Sequence, residues 1–568
     1  MYEKLSFTIF KTALFTILGI LLLNTERGLA QELRLMIFPE NAKDTTLVDS
    51  VGYLKTFEDY VAMTKELSRF SDKLSKIGYF ENYFYPPTFS NDSIFISNIV
   101  LGERKTHINV ILPSGPERRL IKGSRFVTSD TVKLKIREYQ KLIDQLLYDL
   151  EKRGNIFDVI QLKNIKIEDN EVYGDLTIDL KTPRSIDDII IKGYDKFPFS
   201  FIKYTSKLKS GKPLDREMIE NESNSLNTLP FINQLKPPEI LFEKDSSTVF
   251  LYFEKTKSNY FDGFIGFSND DTTNNIQLNG YVDLRLVNNL DRGEQLNILW
   301  KNDGNEQTRF RALLDLPFIF KSPLGVGASL DIFRKDSTFL NTEVKLKLNY
   351  QLSPRGRVSL GITQYESNDL LDNSLMSVDD LEATKINLGY TYILPNLDDA
   401  LFRNKATVFL ETNFGNRDSD LGGETQYSIE LNANYLWKIN FRNRIFINNA
   451  TSFLNSNNYF DNEKFRLGGI NSIRGFNENS LEATFFSYLN TEYRFLLSSN
   501  TYINSIFDVG YLQDDLLKTK NNLLGFGLGL GINSNAGLFR LNYALGKSND
   551  SRLKFTDAKV HISFSSIF

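Results

Sequence analysis

At 568 residues the chain exceeds what one ordinary core holds, so at least two structural regions are expected. It has no cysteine, which excludes disulfides, iron–sulfur clusters, thiolate metal sites and a lipidated amino terminus, and its two histidines, His107 and His561, leave no His-based metal site and little room for a hydrolase. No cofactor and no enzymatic activity are expected, and a formal net charge of -4 gives no reason to expect nucleic acid as a partner.

The first apolar run, Ala13 to Leu23, follows Lys4 and Lys11 and precedes Gly28-Leu29-Ala30, a small-x-small cleavage pattern. Residues 1–30 therefore read as a secretory signal peptide, since the run is shorter than the roughly 18 apolar residues of a helical span. The mature chain would begin near Gln31.

Between Glu32 and Glu254 a helix end, a Gly or Pro, an aromatic or aliphatic pair and a strand recur together. Gly78, Gly154 and Pro230 mark the three copies, about 76 residues apart, which predicts three small tandem α+β domains at residues 31–113, 114–184 and 185–257. The third copy reads β-α-α-β-β, with strands at Ile186 to Lys192, Ile240 to Phe242 and Thr248 to Phe253 and helices at Pro198 to Leu208 and Leu214 to Leu226. The second has a helix from Ser129 to Arg153 before two strands, Ile160 to Ile167 and Val172 to Leu180. In the looser first copy we expect strand Leu33 to Phe38, helix Val61 to Ile77 and strands near Ser93 to Val100 and Thr106 to Leu112, with Asn41 to Lys55 undetermined. The basic cluster Arg118, Arg119, Lys122 and Arg125 reads as a solvated face.

From Tyr260 onward the pattern changes to strict alternation broken by turns rich in Asn, Asp, Gly and Ser. Val344, Leu346, Leu348 and Tyr350 alternate with Glu343, Lys345, Lys347 and Asn349, and Tyr427, Ile429, Leu431, Tyr435 and Trp437 alternate with Ser428, Glu430, Asn432 and Asn434. A charge at every second position suits a wall with lipid on one side and water on the other, and it hides the membrane signal inside a mean hydropathy of -0.29. About 16 such segments of roughly 10 residues predict a transmembrane antiparallel β-barrel over residues 258–568.

Three patterns in the barrel half carry function. The segment Gly468-Gly469-Ile470-Asn471-Ser472-Ile473-Arg474-Gly475-Phe476 lies in a loop of about 25 residues, long enough to imply a role, with paired glycines for a fold-back and Arg474 at its tip. Glu492 and Asp508 fall on the inward faces of two later strands, where a folded-in guanidinium could reach them. Gly525, Gly527, Gly529 and Gly531 alternate with Leu524, Phe526, Leu528, Leu530 and Ile532, which puts glycines inside and leaves lumen space for an inserted loop. The chain then ends on Phe568, sharing a face with Val560, Ile562 and Phe564.

Together, Ser472 to Phe476, the strand Phe507-Asp508-Val509-Gly510 and the terminal Phe568 resemble the BamA and TamA superfamily of outer-membrane assembly and translocation barrels, over nearly the whole mature chain. The resemblance implies a barrel of sixteen strands with the Arg-Gly-Phe loop folded into the lumen, Arg474 meeting acidic residues matched here by Glu492 and Asp508. It implies that the repeats are polypeptide-transport-associated (POTRA) domains. The final Ser565-Ser566-Ile567-Phe568 departs from the family, where a glycine often appears, and the first repeat is divergent.

A seam is expected where the first strand, Tyr260 to Asn269, meets the last, Ala558 to Phe568, with Tyr260, Phe264, Phe564 and Phe568 along it. Gly263 and Gly266, and Ser where an apolar residue would grip lipid, weaken that pairing, and an opened edge can template an incoming strand. The implied activity is insertion of outer-membrane proteins or polypeptide translocation without nucleotide hydrolysis. The implied location is the bacterial outer membrane, with the amino-terminal domains in the periplasm. Unfolded outer-membrane or secreted polypeptides, outer-membrane lipid and accessory periplasmic or lipoprotein subunits are the corresponding partners. The alternatives are a two-partner-type secretion channel, which by resemblance carries two repeats and a plug helix, and a passive pore, which needs no tandem domains.

Overall fold

The computed structural model describes residues 33–91, 93–115, 117–118, 129–168, 171–269, 276–302, 307–370, 378–397, 399, 401–534, 537–549 and 558–566. The expected signal peptide, residues 1–30, and Phe568 lie outside them. The described chain divides into two units, one reaching to Arg184 and including Pro213–Asp215, the other made of Ser185–Lys212 and Arg216–Phe568.

The first unit holds two sheets. In the first, strand Leu33–Pro39 pairs parallel with Ile94–Val100, and helix Tyr60–Lys76 lays Met63, Leu67, Phe70 and Leu74 against Leu35, Ile37 and Ile99. The 4-3-4 spacing of those four residues puts them on one helix face, and the Asp59 side chain accepts from the Ala62 N–H at 2.6 Å to close the amino end. Asn41 to Lys55, undetermined in the sequence, contains a helix at Thr45–Val51 that buries Val48 in the same core.

Two expectations need correction. Strand His107–Ile111, placed in the first domain by its position before residue 113, pairs with Thr131–Lys135 and runs parallel to Glu171–Asp179, so it belongs to the second sheet. The helix expected from Ser129 starts at Ile136, because Thr131-Val132-Lys133-Leu134-Lys135 alternates with period two and buries only Val132 and Leu134. The repeated glycines also acquire a physical meaning. The Gly78 carbonyl accepts from Lys105 N–H and the Gly154 carbonyl from Arg184 N–H, each at 2.8 Å. A Cβ at either glycine would lie 2.1 or 2.3 Å from the carbonyl oxygen of that same partner residue. Each domain thus ties the chain leaving it to the end of its own long helix.

In the second unit, Asp188–Lys192, Ser247–Lys255 and Ile232–Phe242 form a third sheet. The last of these reaches well before the expected Ile240. It tolerates Pro237 and Pro238 because it is the edge strand and carries register shifts between Gln234 and Glu239. Beyond this sheet, sixteen strands from Tyr260–Asn269 to Lys559–Ser566 form one antiparallel sheet, each bonded to the next of the sixteen in sequence order. Its polarity is inverted relative to a soluble core. Leu346, Leu348, Ile386, Leu388 and Trp437 are exposed, whereas Glu411 and Arg417 are 2% and 1% exposed.

The third domain is fastened to two turns of the barrel. The Tyr194 hydroxyl donates to Asp291 Oδ1 (2.5 Å) and accepts from Asn288 Nδ2 (2.8 Å), Lys255 Nζ lies 2.6 Å from Asp291, and Phe201 and Tyr204 both pack on the Phe318 ring. Hydrogen bonds from Lys255 and Tyr194 hold the Asp291 carboxyl below the usual aspartate range. A depressed pKa stabilises above the unfolded-state value and the gain is lost as pH falls through the folded-state value. A spin label on Lys209→Cys, unique in a chain without cysteine, should therefore become more mobile below about pH 4. In an Asp291→Asn background it should already be mobile at neutral pH. Equal mobility in both proteins at every pH would remove Asp291 from the fastening.

Candidate functional site: a loop held inside the barrel

Strands Asn443–Asn455 and Phe485–Leu496 pair directly, and the chain between them, Ser456 to Thr484, is the long loop. A short ladder, Phe465–Leu467 with Leu481–Ala483, forms its stem. At the tip the two glycines set the fold-back: Gly469 N–H donates to Phe476 O at 3.2 Å, and a Cβ on Gly468, whose φ is 110°, would sit 2.0 Å from Asn477 O. Ile473 and Leu467 pack with Ala450, Phe486, Tyr488, Leu512 and Leu523 of the wall in a buried apolar cluster.

Arg474 enters a charged nest. Its backbone N–H and Nε each donate to Asp508 Oδ2 at 2.9 Å, Nη2 donates to Asp508 Oδ1 at 2.5 Å, and Nη1 donates to Glu492 Oε1. Glu492 also accepts from Arg494 Nε at 2.7 Å, and the Arg494 guanidinium lies over the rings of Phe402 and Phe446. Two guanidinium groups thus face two carboxylates, and the nest is closed: Arg474, Asp508 and Glu492 are 4%, 0% and 8% exposed. A balanced, fully hydrogen-bonded set is the arrangement in which buried charge is tolerated.

The tip also sits on the backbone of later strands. Arg474 O overlies Gly525 and Gly475 O overlies Gly546, both 2.5 Å from where a Cβ would be, and these two glycines are register partners on adjacent strands. Of the glycine run expected to make room for the loop, only Gly525 does so. Gly529 faces Asn504 and Asn542, and Gly531 is covered by the Tyr502 ring. Gly546, outside any run, completes the notch.

Sequence reasoning missed the loop's base. Asn462 Nδ2 donates to Ser367 Oγ (2.6 Å) while Asn462 O accepts from Asn341 and Tyr365 (each 2.7 Å). Lys464 Nζ lies 2.7 Å from Asp514, Arg466 stacks over Phe333 and Phe339, and buried Arg417 pairs with Glu424 and lies over the Phe460 ring. Beside this base the lumen keeps a cavity of about 610 Å³ lined by residues such as Lys345, Lys385, Glu430 and Arg466.

At the seam, Tyr260 pairs with Arg285 of the second strand and its ring lies under that guanidinium. Phe264 lies in the first strand and Phe564 in the last. These two strands come alongside each other, yet no backbone ladder joins them among the described residues. The structure therefore brings Arg474, Glu492 and Asp508 together, while Phe568, the last of the expected seam residues, lies outside the described residues.

Residues 288–566 match the model of the Omp85 superfamily domain. Among solved structures the chain is similar to BamA from Haemophilus ducreyi lacking POTRA domains 1-3 (14% identity, 81% of this chain and 99% of that one, TM-score 0.46). It is also similar to CdiB from Escherichia coli (16% identity, 92% and 98%, TM-score 0.49) and CdiB from Acinetobacter baumannii (15% identity, 82% and 90%, TM-score 0.49). Comparison with curated protein sequences finds no match. With that match over its sixteen-stranded barrel and α+β domains ahead of it, the chain carries an Omp85 superfamily domain, and β-barrels of that superfamily are outer-membrane proteins.

Proposed function

We propose that the protein inserts unfolded outer-membrane polypeptides into the bilayer, using the seam between its first and last barrel strands as a template. The observation that carries this reading is a sheet of sixteen strands in which the two terminal strands lie side by side without a ladder among the described residues. Their backbone groups at that edge can pair with an incoming strand, as in β-augmentation. The loop enters the lumen and is held there by Arg474, which disfavours a passive pore. In the periplasm, the edge strands Val159–Glu168 and Ile232–Phe242 expose Val159, Ile165, Leu235 and Leu241, an open backbone edge with apolar side chains for receiving an extended chain.

Depletion of the protein, followed by proteomics of the outer membrane, should lower the amounts of many barrel proteins at once. Loss of a single secreted polypeptide with barrels unaffected would favour the secretion channel instead. The purified full chain in planar bilayers should show no large steady conductance. A steady open pore together with normal barrel levels would overturn the insertion reading.

A further inference from the structure

The loop tip touches the closing strands of the barrel in succession. It meets Asp508 and Gly510 on Thr501–Asp514, Gly525 on Thr519–Ser534, and Gly546 on Gly537–Lys547. On the final strand it meets His561, whose Nε2 accepts from the Gly475 N–H at 3.5 Å. That N–H has no other acceptor among the described residues. His561 is half-buried, sits opposite Asn542 in the ladder, and is one of two histidines in the chain.

We infer that His561 is a positioning residue through which the inserted loop holds the edge strand of the seam. This deepens the insertion reading and rests on it. The strengths of the two attachments differ in a useful way. Arg474 is held by three hydrogen bonds to Asp508 and one to Glu492, all charge-assisted. The link to His561 is a single long bond between neutral groups, at the weak end of the range. Among the described residues the final strand is otherwise held by one ladder, to Gly537–Lys547. It can therefore detach from the loop while the tip stays in place against the other strands. Imidazole suits this task because Nε2 offers an acceptor at the end of a short, rigid side chain, whereas alanine offers none. The partner favoured by a freed edge is an extended polypeptide with unpaired backbone N–H and C=O groups.

Hydrogen exchange of the full-length protein in lipid vesicles tests the link without any substrate. His561→Ala should exchange roughly two- to fivefold faster over residues 559–566, the loss of one weak hydrogen bond, with strand Thr501–Asp514 unchanged. His561→Gln, whose Oε1 can accept the same N–H, should return the rate toward that of the unmodified protein. Unchanged exchange in His561→Ala, or an equal rise across the whole barrel, would overturn the inference. Insertion measured on the same variants separates the two readings. Faster exchange with insertion unaffected would keep the link and sink the seam-opening mechanism, whereas unchanged exchange sinks the link whatever the activity.

Discussion

Replacing Arg474 by alanine should leave an inserted, heat-modifiable barrel whose activity falls at least about tenfold and whose thermal midpoint drops. The barrel survives because the ladders between neighbouring strands do not depend on the loop. The loop does not keep its place. Removing one guanidinium leaves Glu492 with Arg494 and Asp508 with no cation among the described residues, and stripping one partner from a buried ionic set costs about 3–5 kcal/mol. Asp508→Asn should approach that effect, since Asp508 accepts three of the four bonds to Arg474. Glu492→Gln should do less, because Glu492 accepts only one of them. In a double-mutant cycle Arg474→Ala and Asp508→Asn should be strongly non-additive, the second change adding little to the first. Near-native stability and activity in Arg474→Ala would show that the nest does not hold the loop.

Gly546→Val is expected to be as damaging by a different route. The Gly475 carbonyl lies 2.5 Å from the position of the new Cβ, and the Phe476 ring lies 2.9 Å from it. Backbone cannot swing aside as a flexible side chain can, so the tip must lift. Lifting it lengthens every bond to Asp508. Overpacking alone costs about 1–3 kcal/mol, to which the loss of ionic geometry is added. Gly529→Ala is the matched control, because its new Cβ would meet the side-chain ends of Asn542 and Asn504, which can rotate away. Labelling of a cysteine at Asn471 from outside the cell should rise sharply in Gly546→Val and little in Gly529→Ala. Equal labelling in both would contradict the notch.

The barrel and the inward faces of its strands were legible because alternation is local: Glu492 and Asp508 declare their side by the period-two pattern of their neighbours. Arg474 stands out for the same reason, flanked by a glycine in a long loop. The base of the loop was not legible. Asn462 reaches Ser367, and Lys464 reaches Asp514, across strands far apart in sequence, and no local pattern marks such partners. Gly546 lacked the repeating context that made Gly525 visible. The misplaced boundary near residue 113 has a related cause. Strand His107–Ile111 follows the first domain closely in sequence, but its parallel partner, Glu171–Asp179, lies more than 50 residues further on.

A reversible lock on the seam decides the mechanism most directly. Tyr260 opens the first strand and Ser566 ends the last, so with an even number of antiparallel strands both lie at the same rim. In Tyr260→Cys/Ser566→Cys protein reconstituted in vesicles, the disulfide should abolish insertion of an unfolded barrel substrate, and reductant should restore it. Insertion at the full rate with the two strands covalently joined would contradict a seam that opens.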